Sequence, residues 1–202
     1  MFFRQVKERG DNFSYVIADE NTREAAVVDP SFNAEALIRI LKANGFTAKY
    51  ILNTHSHGDH TAENGRLKAA TGAKIVAHKL ARVNKDVSVE DGGVLEVGKI
   101  SIRVIHTPGH TVDGICLLVD GKLLTGDTLF VGECGRTDIG GSPRDLYQSL
   151  FDKLMKLDDD VEVFPGHDYG LKPSSTIGEQ RRTNYVLERR TLEEFIEFMS
   201  IP

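Results

Sequence analysis

The segment Thr54-His55-Ser56-His57-Gly58-Asp59-His60 gathers three imidazoles and a carboxylate into one short stretch. If it is extended, alternation puts His55 and His57 on one side, and Gly58 is expected to let the chain turn so that Asp59 and His60 aim at a neighbouring point. Such a loop can serve two adjacent metal positions. Three later segments repeat the arrangement of an apolar run followed by a polar turn carrying a ligand type: Ile105-His106-Thr107-Pro108-Gly109-His110, Leu124-Thr125-Gly126-Asp127 and Phe164-Pro165-Gly166-His167. Burying so many polar groups with no common partner would be costly, so His55, His57, Asp59, His60, His110, Asp127 and His167 are read together as ligands for one or two metal ions. Imidazole and carboxylate suit Zn2+ or Fe2+, with Mn2+ also accommodated, and the lack of cysteine in the set argues against a closed structural zinc site.

Other chemistry-bearing residues are read more plainly. His78 ends an apolar run without polar company and is assigned a structural role. His106 is either a structural residue or a partner of a ligand. Asp29 is expected to make loop hydrogen bonds and not to bind metal. Cys134 follows Asp127 in the chain, but no base is recognisable that would make it a nucleophile. Arg136, Tyr147, Tyr169, Arg181 and Arg182 are candidates for substrate contact; for Arg181 and Arg182 an ordinary surface role is preferred.

The elements that must position these residues are short. Apolar, β-branched runs over 14–18, 25–28, 50–52, 74–77, 100–105, 115–119, 122–124 and 161–164 read as strands closed by turn residues. Asp120-Gly121 tolerates the positive φ angles of a tight turn, which predicts an antiparallel hairpin there. Helical spacing marks 33–44, stopped by Gly45. Further helices are predicted to open at Ser142, at Thr176 with capping-box spacing, and over 192–199. The class is therefore α/β with too much mixed or antiparallel sheet for a simple doubly wound fold.

A chain of 202 residues, 40% of them hydrophobic, is read as one domain spanning 1–202. A net charge of −5 with interspersed signs offers neither a basic stripe for nucleic acid nor a cationic face for a membrane, so a small-molecule substrate is expected. Two unpaired-looking cysteines and an N-terminus without an apolar leader predict a cytoplasmic protein. A homodimer is among the assemblies open to it.

The HxHxDH loop followed by PGH, GD and GH turns, in that order, resembles the metallo-β-lactamase superfamily over essentially the whole length. The resemblance implies an αββα four-layer sandwich of two mixed β-sheets with outer helices and the metal site at one edge. It further implies that His55, His57 and His110 hold a first metal, that Asp59, His60 and His167 hold a second, and that Asp127 bridges them. Two branches look closest. The stretch GHDYGLKPSSTIGEQRRTN resembles small glyoxalase II-like (hydroxyacylglutathione hydrolase-like) proteins, whereas FRQV, TREAAVVDP, CGRTD and GHDY resemble persulfide dioxygenases. A cysteine usually stands in zinc β-lactamases where Asp127 stands here, which points away from that activity.

Under the first branch the chain is a metal-dependent thioester hydrolase attacking with a metal-bound hydroxide that Asp59 orients, with Arg136 and Tyr169 contacting the substrate. Under the second, His55, His110 and Asp127 form a two-histidine, one-carboxylate face on iron. The hydrolase is the favoured expectation, with a thioester or thiol-derived substrate and, lacking the C-terminal helical domain of glyoxalase II, weak affinity for a glutathione portion. A metal-sensing or structural module is the least favoured.

Overall fold

The strand Phe13–Ala18 is buried along its whole length, so both of its faces must be covered. Phe13, Tyr15 and Ile17 join one apolar cluster while Val16 and Ala18 join another, because successive side chains of a strand point to opposite faces. This division recurs throughout the computed structural model, which describes residues 1–200. The first sheet holds six strands in sequence order, β1 (Phe2–Lys7), β2 (Phe13–Ala18), β3 (Glu24–Val28), β4 (Thr47–Leu52), β5 (Lys74–His78) and β6 (Val87–Val89). The pairs β1/β2 and β2/β3 are antiparallel, and from β3 to β6 the strands run parallel.

Parallel neighbours need crossovers, and those into β4 and β5 are helical, whereas β5 reaches β6 through a loop. Between β3 and β4 runs α1 (Ala34–Asn44), capped by Asn33 and ended by Gly45 at φ 65°; α2 (Gly58–Thr61) and α3 (Asn64–Thr71) lie between β4 and β5. Leu37, Leu41 and Leu67 of α1 and α3 pack on Val16, Val27 and Ile51, covering the outer face of this sheet.

The second sheet comprises β7 (Val94–Val97), β8 (Ile100–His106), β9 (Ile115–Val119), β10 (Lys122–Gly126), β11 (Glu162–Pro165) and β12 (Ser175–Thr176), again adjacent in chain order. It too is mixed: β10 and β11 are parallel and the other pairs antiparallel. The β9/β10 hairpin turns at Asp120 and Gly121, with φ 47° and 72°, as the Asp-Gly pair predicts. Helix α4 (Pro143–Tyr147), prolonged by irregular turns to Lys156, makes the crossover to β11, and α5 (Ile177–Thr183) and α6 (Leu192–Ser200) follow. Leu146, Leu150, Leu154, Ile177 and Phe195 cover the outer face by packing on Cys116, Leu123 and Val163. Between the sheets, Tyr15, Val28 and Leu52 meet Ile102, Leu117 and Leu124. The layers are thus helix, sheet, sheet, helix, as the family resemblance implied.

Each strand expected from the sequence is present within a few residues of its predicted bounds. The four that were not expected, β1, β6, β7 and β12, are half-buried or very short, so their side chains lack a continuous apolar signal. No helix among the described residues is long and apolar enough to cross a membrane.

Candidate metal centre

The polar turns that follow β4, β8, β10 and β11 meet at one edge of the sandwich. Main-chain bonds tie them together: Ile115 N donates to Thr54 O at 2.8 Å, Gly166 N to Gly126 O at 2.7 Å, and Phe13 N to Gly166 O at 2.8 Å. After β4, Thr54 is anchored to Asp29, its amide donating to Oδ1 at 2.8 Å and its hydroxyl to Oδ2 at 2.6 Å. The chain then reverses at the one-turn helix α2, with His57 at its N-cap. The expectation that Gly58 supplies the turn by its conformational freedom is corrected here. Gly58 is helical, outside the left-handed region, and a Cβ there would meet nothing within 4 Å.

Seven side chains converge as three overlapping donor sets: His55, His57 and His110; His55, His60 and Asp127; and Asp59, His60 and His167. His57 Nδ1 lies 3.1 Å from His55 Nε2 and 3.0 Å from His110 Nε2. Across the site His60 Nε2 and His167 Nε2 are 3.1 Å apart, with Asp59 Oδ2 at 3.5 and 3.4 Å from them. Asp127 stands between the two groups. Its Oδ2 is 3.6 Å from His110 and 3.2 Å from His167, and its Oδ1 is 3.3 Å from His60. These are all seven residues singled out by type and spacing.

The outward ring nitrogens have partners of their own. His60 Nδ1 lies 3.0 Å from Asp29 Oδ2, His167 Nδ1 3.1 Å from Asp11 Oδ1, and His110 Nδ1 2.8 Å from Arg136 O. When those acceptors take the Nδ1 hydrogens, the Nε2 lone pairs are left facing one another. Buried Asp127 Oδ1 makes no hydrogen bond. Convergent lone pairs and an orphaned carboxylate oxygen are what a divalent cation would satisfy, so this donor set fits a metal.

Charge distribution agrees. Burial pushes His55 well below the usual imidazole range, with His60 adding to it, and burial also lowers His110. Against burial, Asp127 and Asp29 hold His60 well above that range, and Asp127 and Asp59 raise His167 to about 10. Asp127 stays well below the carboxylate range despite burial because His60 and His167 face it, and His167 likewise lowers Asp59. A cation bound there would favour the neutral rings, with Nε2 unprotonated.

Two glycines allow this approach. Gly126 has φ 49°, and a Cβ there would lie 2.5 Å from Thr54 Oγ1. At Gly166 it would collide with Asp127 Oδ1 and come within 2.8 Å of His60 Cε1.

The remaining candidates divide. Tyr169 is half-exposed and stacks on His167 with centroids 4.9 Å apart and planes at 4°. Arg136 gives its carbonyl to His110, while its exposed guanidinium pairs with Asp138. Tyr147 packs under Phe195 and donates to Arg190 O, and Arg181 bonds Asp159 and the carbonyls of Met155 and Leu157. Tyr147 thus packs in the second sheet's outer layer, and Arg181 lies exposed at its surface. Arg182 reaches Asp159 at 3.9 Å on the surface. His78 does have company, since it stacks on His106 at 4.0 Å, away from the ligands. Burial pushes the Cys134 thiol up to about 12 and Cys116 to about 11, which suits neither to nucleophilic attack. Asp29 makes the expected loop bonds and also partners His60. Asp11 and Asn12 escaped sequence reasoning: a polar pair before a strand reads as a turn, and only its contact with a distant loop gives it a role.

Comparison with known proteins follows the same lines. The metallo-beta-lactamase superfamily model matches residues 8–167. A hydroxyacylglutathione hydrolase of Anaeromyxobacter dehalogenans is 37% identical over 84% of this chain, and the match spans 66% of that protein's length. The mitochondrial persulfide dioxygenase ETHE1 of Homo sapiens is 33% identical over 93% of this chain and 75% of its own. The crystal structure of ETHE1 from Myxococcus xanthus superposes with a TM-score of 0.95 at 34% identity, covering 100% of this chain and 92% of that one. The relatives are thus split between a hydrolase and a dioxygenase on one fold. With the family model spanning most of its length and the donor sets at the sandwich edge, the chain belongs to the metallo-beta-lactamase superfamily.

Proposed function

We propose that residues 1–202 act as one metal-dependent domain that hydrolyses a small thioester, with His55, His57 and His110 holding one ion, Asp59, His60 and His167 a second, and Asp127 shared. The observation that carries this reading is the pair of adjacent donor sets with Asp127 between them. Divalent ions bound there, zinc or manganese among them, supply a Lewis acid for the scissile carbonyl and a water acidic enough to attack near neutral pH. The residues do the rest. Asp59, lowered in pKa and partly exposed, remains ionised and accepts a hydrogen bond from the attacking water, which orients it. Asp29 and Asp11 hold the His60 and His167 rings with Nε2 inward. Tyr169, flat on His167, offers an apolar platform beside the ligands, and Arg136 a cationic group for an anionic part of the substrate. Water adds to the acyl carbon, the carbon–sulfur bond breaks, and a carboxylic acid and a thiol leave.

The second reading is an iron-dependent persulfide dioxygenase, favoured by the close superposition on the Myxococcus xanthus protein. His55, His110 and Asp127 offer it a two-histidine, one-carboxylate face, with Asp127 Oδ2 3.9 and 3.6 Å from the two imidazoles. Two free cysteines support a reducing compartment, which we take to be the cytoplasm. One experiment separates them. The protein is loaded with zinc, manganese or iron, then assayed for S-lactoylglutathione cleavage without oxygen and for oxygen uptake with glutathione persulfide. Oxygen-independent cleavage supported by zinc or manganese is expected; rapid, strictly iron-dependent uptake without thioesterase activity overturns the hydrolase.

A further inference from the structure

The loop 8–12 joins β1 to β2 at the edge of the first sheet, yet it reaches the ligands of one half of the site. Asn12 pairs with His167 as an isolated antiparallel bridge, Phe13 N donates to Gly166 O at 2.8 Å, and Asp168 N donates to Asp11 O at 2.7 Å. This main-chain frame delivers two side chains. Asp11 Oδ1 lies 3.1 Å from His167 Nδ1, where it takes the ring hydrogen and leaves Nε2 free to bind. Asn12 Nδ2 donates to Asp59 Oδ2 at 3.0 Å, the oxygen that faces both His60 and His167. The other three imidazoles draw on different partners: His110 on Arg136 O, His55 on Thr54 Oγ1, and His57 on its two imidazole neighbours. Among the described residues, none of 8–12 hydrogen-bonds His55, His57 or His110.

We propose that Asp11 and Asn12 are positioning residues that set the occupancy of the second metal position alone, so that the loop 8–12 decides whether the protein carries one ion or two. The inference rests on the two-position reading above. Its physical basis is orientation: an imidazole without an acceptor at Nδ1 can rotate or carry its proton on Nε2, and a carboxylate without a donor can turn away. Both faults fall on Asp59 and His167, and neither touches the first donor set.

The test is calorimetric titration of the metal-free full chain with zinc ions alone, with elemental analysis after desalting, on wild type and on Asp11→Ala, Asn12→Ala, Asp11→Asn and Lys7→Ala. Asp11→Ala and Asn12→Ala should weaken the second ion by roughly 10–100-fold and leave the first unchanged. Asp11→Asn should recover part of the loss, because its amide oxygen still accepts from Nδ1. Lys7→Ala, which removes only a surface pair with Asp168, should bind as wild type does. Should Asp11→Ala fail to fold by circular dichroism, Asp11→Asn and Asn12→Ala carry the test. Equal weakening of both ions, or no weakening, overturns the proposal while the two-position reading stands. A wild-type protein that saturates at one ion overturns that reading and the proposal with it.

Discussion

Asp29 Oδ2 lies 3.0 Å from His60 Nδ1, and both residues are almost fully buried. The same carboxylate receives the amide and hydroxyl of Thr54, and its backbone, at φ 46°, closes the end of β3. One side chain therefore fixes the start of the ligand loop and the tautomer of a ligand within it. Replacing Asp29 with Ala strips acceptors from three buried donors. The expected cost is about 2–4 kcal/mol of stability, read by denaturant unfolding, and roughly 10–100-fold in metal affinity, read by titration. Unchanged affinity would show that His60 keeps its orientation without Asp29.

Gly166 marks where β11's turn passes over the site. A methyl group there would collide with Asp127 and crowd the His60 ring. Gly166→Ala should cost about 1–3 kcal/mol through overpacking and lower metal content, measured by unfolding and elemental analysis. Wild-type values for both would mean the turn shifts freely, contrary to its main-chain bond with Gly126.

Asp127 and His167 should differ in what they hold. Asp127 faces imidazoles of both donor groups, whereas, of the seven converging side chains, His167 faces only Asp59, His60 and Asp127. Asp127→Ala is expected to lower the occupancy of both positions, and His167→Ala to empty mainly the second. Metal-to-protein ratios after extensive dialysis decide between this and an equal loss in the two variants.

His78 offers a pH dependence remote from the ligands. Burial, with the charge of stacked His106 adding to it, lowers its pKa from 6.5 to about 4, while Asp113 and Glu90 pull the other way and Lys79 sides with burial. The fold accepts the neutral ring, so the unfolded chain binds the proton first. This contribution is complete above pH 6.5 and is lost as pH falls towards 4. Relative to His78→Gln, the wild type should lose about 1–3 kcal/mol over that window, seen as a steeper fall of its melting temperature. Parallel curves for the two proteins would refute it.

The primary structure alone determined a good deal. Ligand types, their HxHxDH, PGH, GD and GH frames, the Asp-Gly hairpin and the caps of α1 and α5 are local signals, each written in a few adjacent residues whose conformational preferences do not depend on the rest of the fold. Long buried strands were readable for the same reason, since two covered faces demand continuous apolar runs. What only the tertiary structure decided is relational. Asp127 comes to lie between the two donor groups because β10 and β11 lie parallel and bring the turns after them side by side. Asp11 and Asn12 reach the site because residues 156 positions apart in the chain, Asp11 and His167, meet across two strand ends. Gly58 and Gly166 look alike in sequence, yet only Gly166 is hemmed in by other loops. Contacts between distant segments leave no local pattern, because their energetics depend on which surfaces the sandwich finally apposes.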